Sequence, residues 1–308
     1  MPLRIVLVGA GHMGKIHADK LASFSDVDIV GVVDVDAAMA RDLAQKYEAP
    51  WFEDYKALLG HAEGVVIASP TETHHRIAKD FLETGSHVFI EKPIARTQEE
   101  GTELVDLAKS ANRILQIGHL ERLNPAFTAA APFIKNPVLL ETRRASEFTG
   151  RSVDIDVVLD LMIHDIDLVL SLVNGEVKKV RAQGFSLVTE NLDVASAQVE
   201  FTNGCTANLT ANRISAVKER SLRIFQQDEC IFVDLLNGRV TNMVKEGEGS
   251  VEIKEHTADK LDAVKHELMA FVRSITTMSD PIVKGEDGLK ALVLAHQIKT
   301  YIAEKQLR

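Results

Sequence analysis

The chain has 308 residues, enough for two domains at about 150 residues each and for a sizeable core without disulfides or metals. Lys and Arg number 35 against 45 Asp and Glu, and the net charge of −10 argues against a nucleic-acid or anionic-membrane binder, which needs a basic face. Apolar residues at 45% and charged residues at 26% exclude a disordered chain.

Only Cys205 and Cys230 are present, with no Cys-x-x-Cys, which fits a reducing compartment. Residues 5–8 are too short for an export-signal core, and no stretch approaches the ~20 apolar residues of a membrane span. The expected location is the cytoplasm.

In chain order, residues 5–8 read as a buried strand, followed by glycines and a helix to about residue 24. Residues 27–33 are the next strand and 36–47 a helix; 65–68 and 88–90 are strands, each followed by a helix, 73–83 and 97–110. Residues 114–117 close the series. Short apolar strands separated by helices imply right-handed crossovers and a parallel sheet. The pattern changes after about residue 122, so one domain spans 1–122 and a second 123–308. From Glu176 the strands look long and antiparallel. Residues 194–201 put Ala195, Ala197, Val199 and Phe201 on one face, and 205–213 put Thr206, Asn208, Thr210 and Asn212 together on a polar one. Asn203-Gly204 and Asn237-Gly238 mark hairpins, because both residue types tolerate φ > 0. The tail is helical over 259–277 and 285–306. The Thr/Asn face is either solvated or a subunit interface.

Gly9-Ala10-Gly11-His12-Met13-Gly14 follows the first strand and opens a helix. The first glycine allows the tight turn, the second close approach to a pyrophosphate, the third helix–strand packing, and the helix N-terminus offers free N–H groups. Asp34 lies twenty positions beyond Gly14, where an acid grips the ribose 2′-OH; capping of the next helix by Asp34 or Asp36 is compatible. Asp34 would repel a 2′-phosphate and Val35 brings no compensating charge, so NAD is expected over NADP.

Glu91-Lys92-Pro93 stands at the end of the 88–90 strand, where strand ends line a ligand crevice. In Asp160-Leu161-Met162-Ile163-His164-Asp165, a helix would place Asp160 and His164 on one face, with carboxylate orienting imidazole; it would stop at Asn174-Gly175 through a left-handed residue. Ser69-Pro70-Thr71 and His74-His75 follow the 65–68 strand, where Thr71 or Thr73 could cap a helix and the histidines could face solvent. Glu121, Arg122 and Asn124 are domain-linker polar residues or substrate contacts, and Arg143, Arg144 and Arg151 form the densest group of cations near the proposed site. No His-Glu-x-x-His or Cys/His grouping suggests a metal, and the glycine loop lacks the Lys-Ser/Thr ending of a nucleoside triphosphatase.

Glycine loop, Asp34, Glu91-Lys92-Pro93 and Asp160-x-x-x-His164, in that order, resemble the Gfo/Idh/MocA oxidoreductases along nearly the whole chain. The resemblance implies an α/β protein with an N-terminal Rossmann dinucleotide-binding domain and a C-terminal α/β domain built on a large, mostly antiparallel open sheet. It implies Lys92, Asp160 and His164 as the catalytic group, and Gly9, Gly11, His12, Met13, Gly14, Asp34, Ser69, Pro70, Thr71, His74, Glu91 and Lys92 around NAD. Two stretches, Gln116-Ile117-Gly118-His119-Leu120-Glu121-Arg122-Leu123-Asn124-Pro125 and Phe148-Thr149-Gly150-Arg151 leading into the Asp160 helix, are similar to the UDP-N-acetylglucosamine 3-dehydrogenase subgroup. That likeness implies oxidation of a sugar C3 hydroxyl ahead of a partner aminotransferase. Glu121, Arg122, Asn124, Arg143, Arg151 and His164 are then the substrate contacts, since a diphosphate suits bidentate arginines. His164 is the expected base and Lys92 the stabiliser of alkoxide charge, although exchange of these two roles is open. A free-polyol or inositol dehydrogenase is the other enzyme reading, and a non-catalytic NAD(H) sensor the reading from another class. A homodimer or homotetramer is expected, with a small-molecule sugar or nucleotide-sugar substrate.

Overall fold

Short buried strands and amphipathic helices over the first 120 residues build a six-stranded sheet in which every strand runs parallel to its neighbours. The computed structural model describes residues 1–150, 153–259 and 261–306. The strands β1 (Leu3–Val8), β2 (Val27–Val33), β3 (Trp51–Phe52), β4 (Gly64–Ile67), β5 (His87–Glu91) and β6 (Leu115–Gly118) take the order β3-β2-β1-β4-β5-β6. The chain winds one way from β1 to β3 and the other way from β4 to β6. The loops after β1 and β4 therefore diverge and open a crevice at the strand C-termini. Crossovers are α1 (His12–Leu21), α2 (Ala37–Lys46), α3 (Thr71–Glu83) and α4 (Gln98–Ser110). Two of the starts are fixed by side-chain caps: Asp36 accepts from the backbone of Ala38 and Met39 at α2, and Thr97 forms a capping box with Glu100 at α4.

Two compact units result, 1–120 with 262–289 and 121–261 with 290–308. This corrects the expected assignment of all of 123–308 to the second domain. The physical reason is the apolar stripe of a helix we label α7 (Ala263–Thr277): Leu268, Phe271, Val272 and Ile275 join one core with Ile5, Leu7, Val66 and Phe89. Each such side chain contributes about 1.5–3 kcal/mol on burial. The chain also pairs with the β6 edge, where the Ile117 N–H donates to the Val283 carbonyl at 3.1 Å.

The second unit opens with α5 (Pro125–Ala130) and β7 (Leu139–Ala145). A π-helical turn, Val158–Met162, runs straight into α6 (Ile163–Leu172). Then come β8 (Val177–Phe185), β9 (Val194–Phe201), β10 (Thr206–Asn212), β11 (Glu219–Gln226), β12 (Glu229–Asp234), β13 (Arg239–Lys245) and β14 (Val251–Thr257). The eight strands are ordered β14-β13-β12-β11-β7-β10-β9-β8, antiparallel except for β7 with β10. As the alternation requires, Ala195, Ala197, Val199 and Phe201 are buried, against α6 and the part of α8 (Gly285–Gln306) that follows residue 289. Thr206, Asn208, Thr210 and Asn212 lie on the opposite face.

Three local expectations are corrected. In both Asn-Gly hairpins only the glycine takes positive φ, Gly204 at 89° and Gly238 at 73°, and Asn203 instead accepts the Cys205 N–H on its side-chain oxygen at 3.1 Å. Loops of three and four residues replace the two-residue turn that needs two such residues. Helix α6 ends with Val173 extended at φ −98°, not through a left-handed residue; a Cβ at Gly175 would stand 3.0 Å from the Asn203 side chain, a tight contact. The cap of α3 is Pro70, with Thr71 its first helical residue, so neither Thr71 nor Thr73 caps it.

Candidate active site

The glycine loop leaves β1 at the crevice. Gly9 sits at φ +103°, where a Cβ would lie 2.6 Å from the Ala68 carbonyl, and a Cβ at Gly14 would lie 1.8 Å from the Gly9 oxygen. Gly11 differs: nothing stands within 4 Å of its Cβ position. The first two roles are internal packing, whereas the third leaves room for a ligand. Gly11 is also the N-cap of α1, which has neither a side-chain cap nor an acid in its first turn, so its free N–H groups suit an anion. His12 is exposed and Met13 half-buried beside that opening turn.

Asp34 follows β2 and accepts from the Ala10 N–H at 2.7 Å and the Asp36 N–H at 3.0 Å. Since Asp36 caps α2, Asp34 is left tied to the glycine loop, half-buried, with lone pairs to spare for a ribose diol. The cradle, the uncapped helix and this carboxylate fit a dinucleotide.

Two further loops stand at the same edge of the sheet. After β4, the Ser69 hydroxyl lies 2.7 Å from that of Thr73, which donates to the Pro70 carbonyl. His74 is buried, against the solvent-facing alternative, with Nδ1 2.9 Å from the Pro93 carbonyl and Nε2 2.8 Å from that of Ser69. Burial lowers its pKa, opposed by those two carbonyls. His75 points outward to Glu103 at 2.7 Å. After β5, Glu91 meets buried His17 of α1 at 2.7 Å, a residue no sequence motif marked. Burial pushes the Glu91 carboxyl up, but the hydrogen bond from His17 and the nearby Lys92 charge hold it below the usual carboxylate range. Lys92 is half-buried and joins Pro93 through a cis peptide.

In the second unit, Asp160 lies in the π-helical turn and His164 in the first turn of α6. The π turn replaces the uniform α-helix expected across this motif and changes the angular offset between the two. Asp156 starts it by accepting from Val158 at 3.0 Å and Leu159 at 3.1 Å, and is fixed by Lys299 at 2.6 Å. Fully buried Met162, Ile163 and Ile166 anchor the segment, while Asp160 and His164 stay half-buried.

The residues flanking His164 carry a paired-charge network. Buried Arg144 donates to Asp165 from Nε at 3.1 and 3.2 Å and from a terminal nitrogen at 2.7 Å, and to Glu121 at 2.8 Å. Burial raises the Asp165 pKa against the pull of Arg144; it would raise Glu121 as well, but there Arg144 and Arg220 prevail and the pKa is lowered. Arg122 forks onto Asp167 at 2.7 and 2.9 Å. Asn124 caps α5 through Ala126 and donates to Glu121 and to the Leu235 carbonyl.

Glu121, Arg122 and Asn124 are occupied by internal partners. Arg143 projects from β7 to the sheet face opposite Arg144 and α6, where it pairs with Glu219 at 3.1 Å. It therefore does not converge on His164, because neighbours along a strand point to opposite faces. Arg151 lies outside the described residues.

Comparison with known proteins is consistent along the chain. Residues 3–119 match the family model described as oxidoreductase family, NAD-binding Rossmann fold, and residues 118–231 match the GFO/IDH/MocA C-terminal domain. The chain is 35% identical over 308 residues to a UDP-N-acetylglucosamine 3-dehydrogenase of Acidithiobacillus ferrooxidans, covering 97% of both. A solved structure bearing that enzyme name, from the same organism, superposes with a TM-score of 0.93 over 98% of each chain at 34% identity. A myo-inositol 2-dehydrogenase of Thermotoga maritima is 25% identical over 328 residues, covering 99% of this chain and 97% of that one.

Proposed function

The chain belongs to the Gfo/Idh/MocA family of oxidoreductases, and on that premise we propose that it oxidises the C3 hydroxyl of UDP-N-acetylglucosamine with NAD. The observation that carries this reading is the 35% identity along essentially the full length of both chains with an enzyme of that name. The glycine cradle, the start of α1 and Asp34 would hold the dinucleotide, with Ser69, Pro70, Thr71 and Glu91 close by. Asp34 disfavours a 2′-phosphate. Bound NAD supplies the hydride acceptor.

The rest falls to this chain's own groups. The substrate carbon loses hydrogen with its electron pair while its oxygen loses a proton, giving a ketone. His164 takes that proton, because imidazole titrates near neutral pH, and Asp160 sets its tautomer. Lys92 donates a hydrogen bond to the same oxygen and stabilises the developing negative charge. The open sheet face is the proposed contact between copies of the chain, and an aminotransferase the consumer of the ketone.

One observation favours a second reading, a free-polyol dehydrogenase with the same catalytic group. Among the described residues, Arg122 and Arg144 are held by internal carboxylates and Arg143 by Glu219 on the far face, so none of the three stands ready for a diphosphate. The test compares NADH formation from UDP-N-acetylglucosamine with that from inositols, each with an aminotransferase and amino donor present to draw off ketone. Turnover of the nucleotide sugar, falling about 10²–10⁴-fold in His164→Ala, supports the reading; turnover of inositol alone replaces it with the second.

A further inference from the structure

Both neighbours of Lys92 in the chain are fastened to buried histidines from different helices. Glu91, before it, is 2.7 Å from His17 Nε2, and the carbonyl of Pro93, after it, is 2.9 Å from His74 Nδ1. His17 comes from the inner face of α1, fully buried, with its ring edge-on to Phe89 at 5.4 Å between centroids. Its Nδ1 is shielded and has no hydrogen-bond partner, which places the proton on Nε2, donating to Glu91, since a buried N–H without an acceptor costs more than a bare ring nitrogen. His74 comes from α3, and its second nitrogen sits 2.8 Å from the Ser69 carbonyl, joining the loop after β4 to the loop after β5. A leucine would satisfy packing at either site without the desolvation cost of an imidazole, so the polar rings answer a demand other than core filling.

We propose that His17 and His74 are positioning residues, a two-sided clamp that fixes where Lys92 presents its ammonium to the substrate hydroxyl. The inference rests on the reading of Lys92 as a group that touches that hydroxyl. Neither histidine reaches the reacting atoms; each acts through the backbone or side chain next to Lys92.

The test uses His17→Leu, His74→Leu and His17→Gln in the full chain, with His75→Gln as control because His75 points outward to Glu103. The first readout needs no substrate: the rate at which an acetylating reagent modifies Lys92, measured by peptide mass spectrometry. Both Leu variants should change that rate by about tenfold, His75→Gln not at all, and His17→Gln, whose amide can still donate to Glu91, should return it close to wild type. The second readout is turnover, where the Leu variants should lose about 10²-fold in kcat, with KM and the NADH Kd within about threefold of wild type. Unchanged Lys92 labelling in both Leu variants overturns the clamp. A loss of NADH binding that tracks kcat and is not rescued in His17→Gln also overturns it, as general damage to the fold. Altered and rescued labelling in a protein that oxidises no sugar or polyol upholds the clamp and removes the proposed reaction instead. If His17→Leu does not fold, His74→Leu and His17→Gln decide the same question.

Discussion

Replacing Arg144 with methionine, which keeps much of the volume and none of the charge, isolates the network beside His164. The guanidinium and the Asp165 carboxylate are 3% and 2% exposed and Glu121 is 8% exposed, so removing the cation strands two buried carboxylates. Glu121 retains Asn124 at 2.9 Å and Arg220 at 3.5 Å, whereas Asp165 loses the whole fork. Breaking a buried pair from one side costs about 3–5 kcal/mol. For a unit of this size that lowers the melting temperature by about 6–20 °C. The pH dependence has a definite sign. Burial already raises the Asp165 pKa, and it rises further without Arg144. A carboxyl with a raised folded-state pKa contributes stability below its unfolded pKa, lost as pH rises through the folded one. The deficit is therefore largest near neutrality and shrinks as the solution is acidified toward about pH 4. Urea unfolding across that range measures it, and Arg144→Met with Asp165→Asn should recover at least half, because the uncompensated charge is gone. A single variant within about 1 kcal/mol of wild type at neutral pH, or a deficit that grows on acidification, refutes the reasoning.

Gly11→Ala should leave thermal stability unchanged while weakening NADH binding, whereas Gly14→Ala, with its Cβ 1.8 Å from the Gly9 oxygen, should destabilise the unit itself; calorimetry and fluorescence titration separate the two. Asp34→Asn keeps an acceptor for the Ala10 N–H and removes the charge, and should move the NADPH-to-NADH affinity ratio toward NADPH by about tenfold, measured by competition binding. Burial would push the Asp193 carboxyl up, but the N–H groups of Leu187, Val188 and Thr189 hold it at about 2. Its contribution to stability is present above the unfolded carboxylate pKa and is lost as pH falls toward 2. Acid titration should show Asp193→Ala less stable near neutrality by about 1.5–3 kcal/mol, with the difference narrowing in acid.

The parallel sheet is legible because each of its longer strands is a short apolar run ended by a glycine or polar loop; β3 escapes because two residues carry no period. The missed strand in the second unit is β7, whose inward positions include Thr142 and Arg144. A buried arginine reads as solvent-facing in any alternation, and its neutralisation by Asp165 and Glu121 is a tertiary fact. The same blindness hides what becomes of the arginines: sequence proximity groups Arg143 with Arg144, while the pleat sends them to opposite faces. Motifs that work through one local segment, such as Gly9 to Gly14, survive intact. His17 is invisible because its partner Glu91 lies 74 positions away.

The return of residues 262–289 to the first unit bears on the order in which the molecule can be made. During synthesis the first 120 residues emerge with Ile5, Leu7 and Phe89 prepared for a core whose remaining wall, Leu268 to Ile275, is still untranslated. Everything between, including the eight-stranded sheet, leaves the ribosome first. The nucleotide-binding unit begins first and is completed nearly last, and a fragment cut at residue 120 exposes the surface that α7 would have covered.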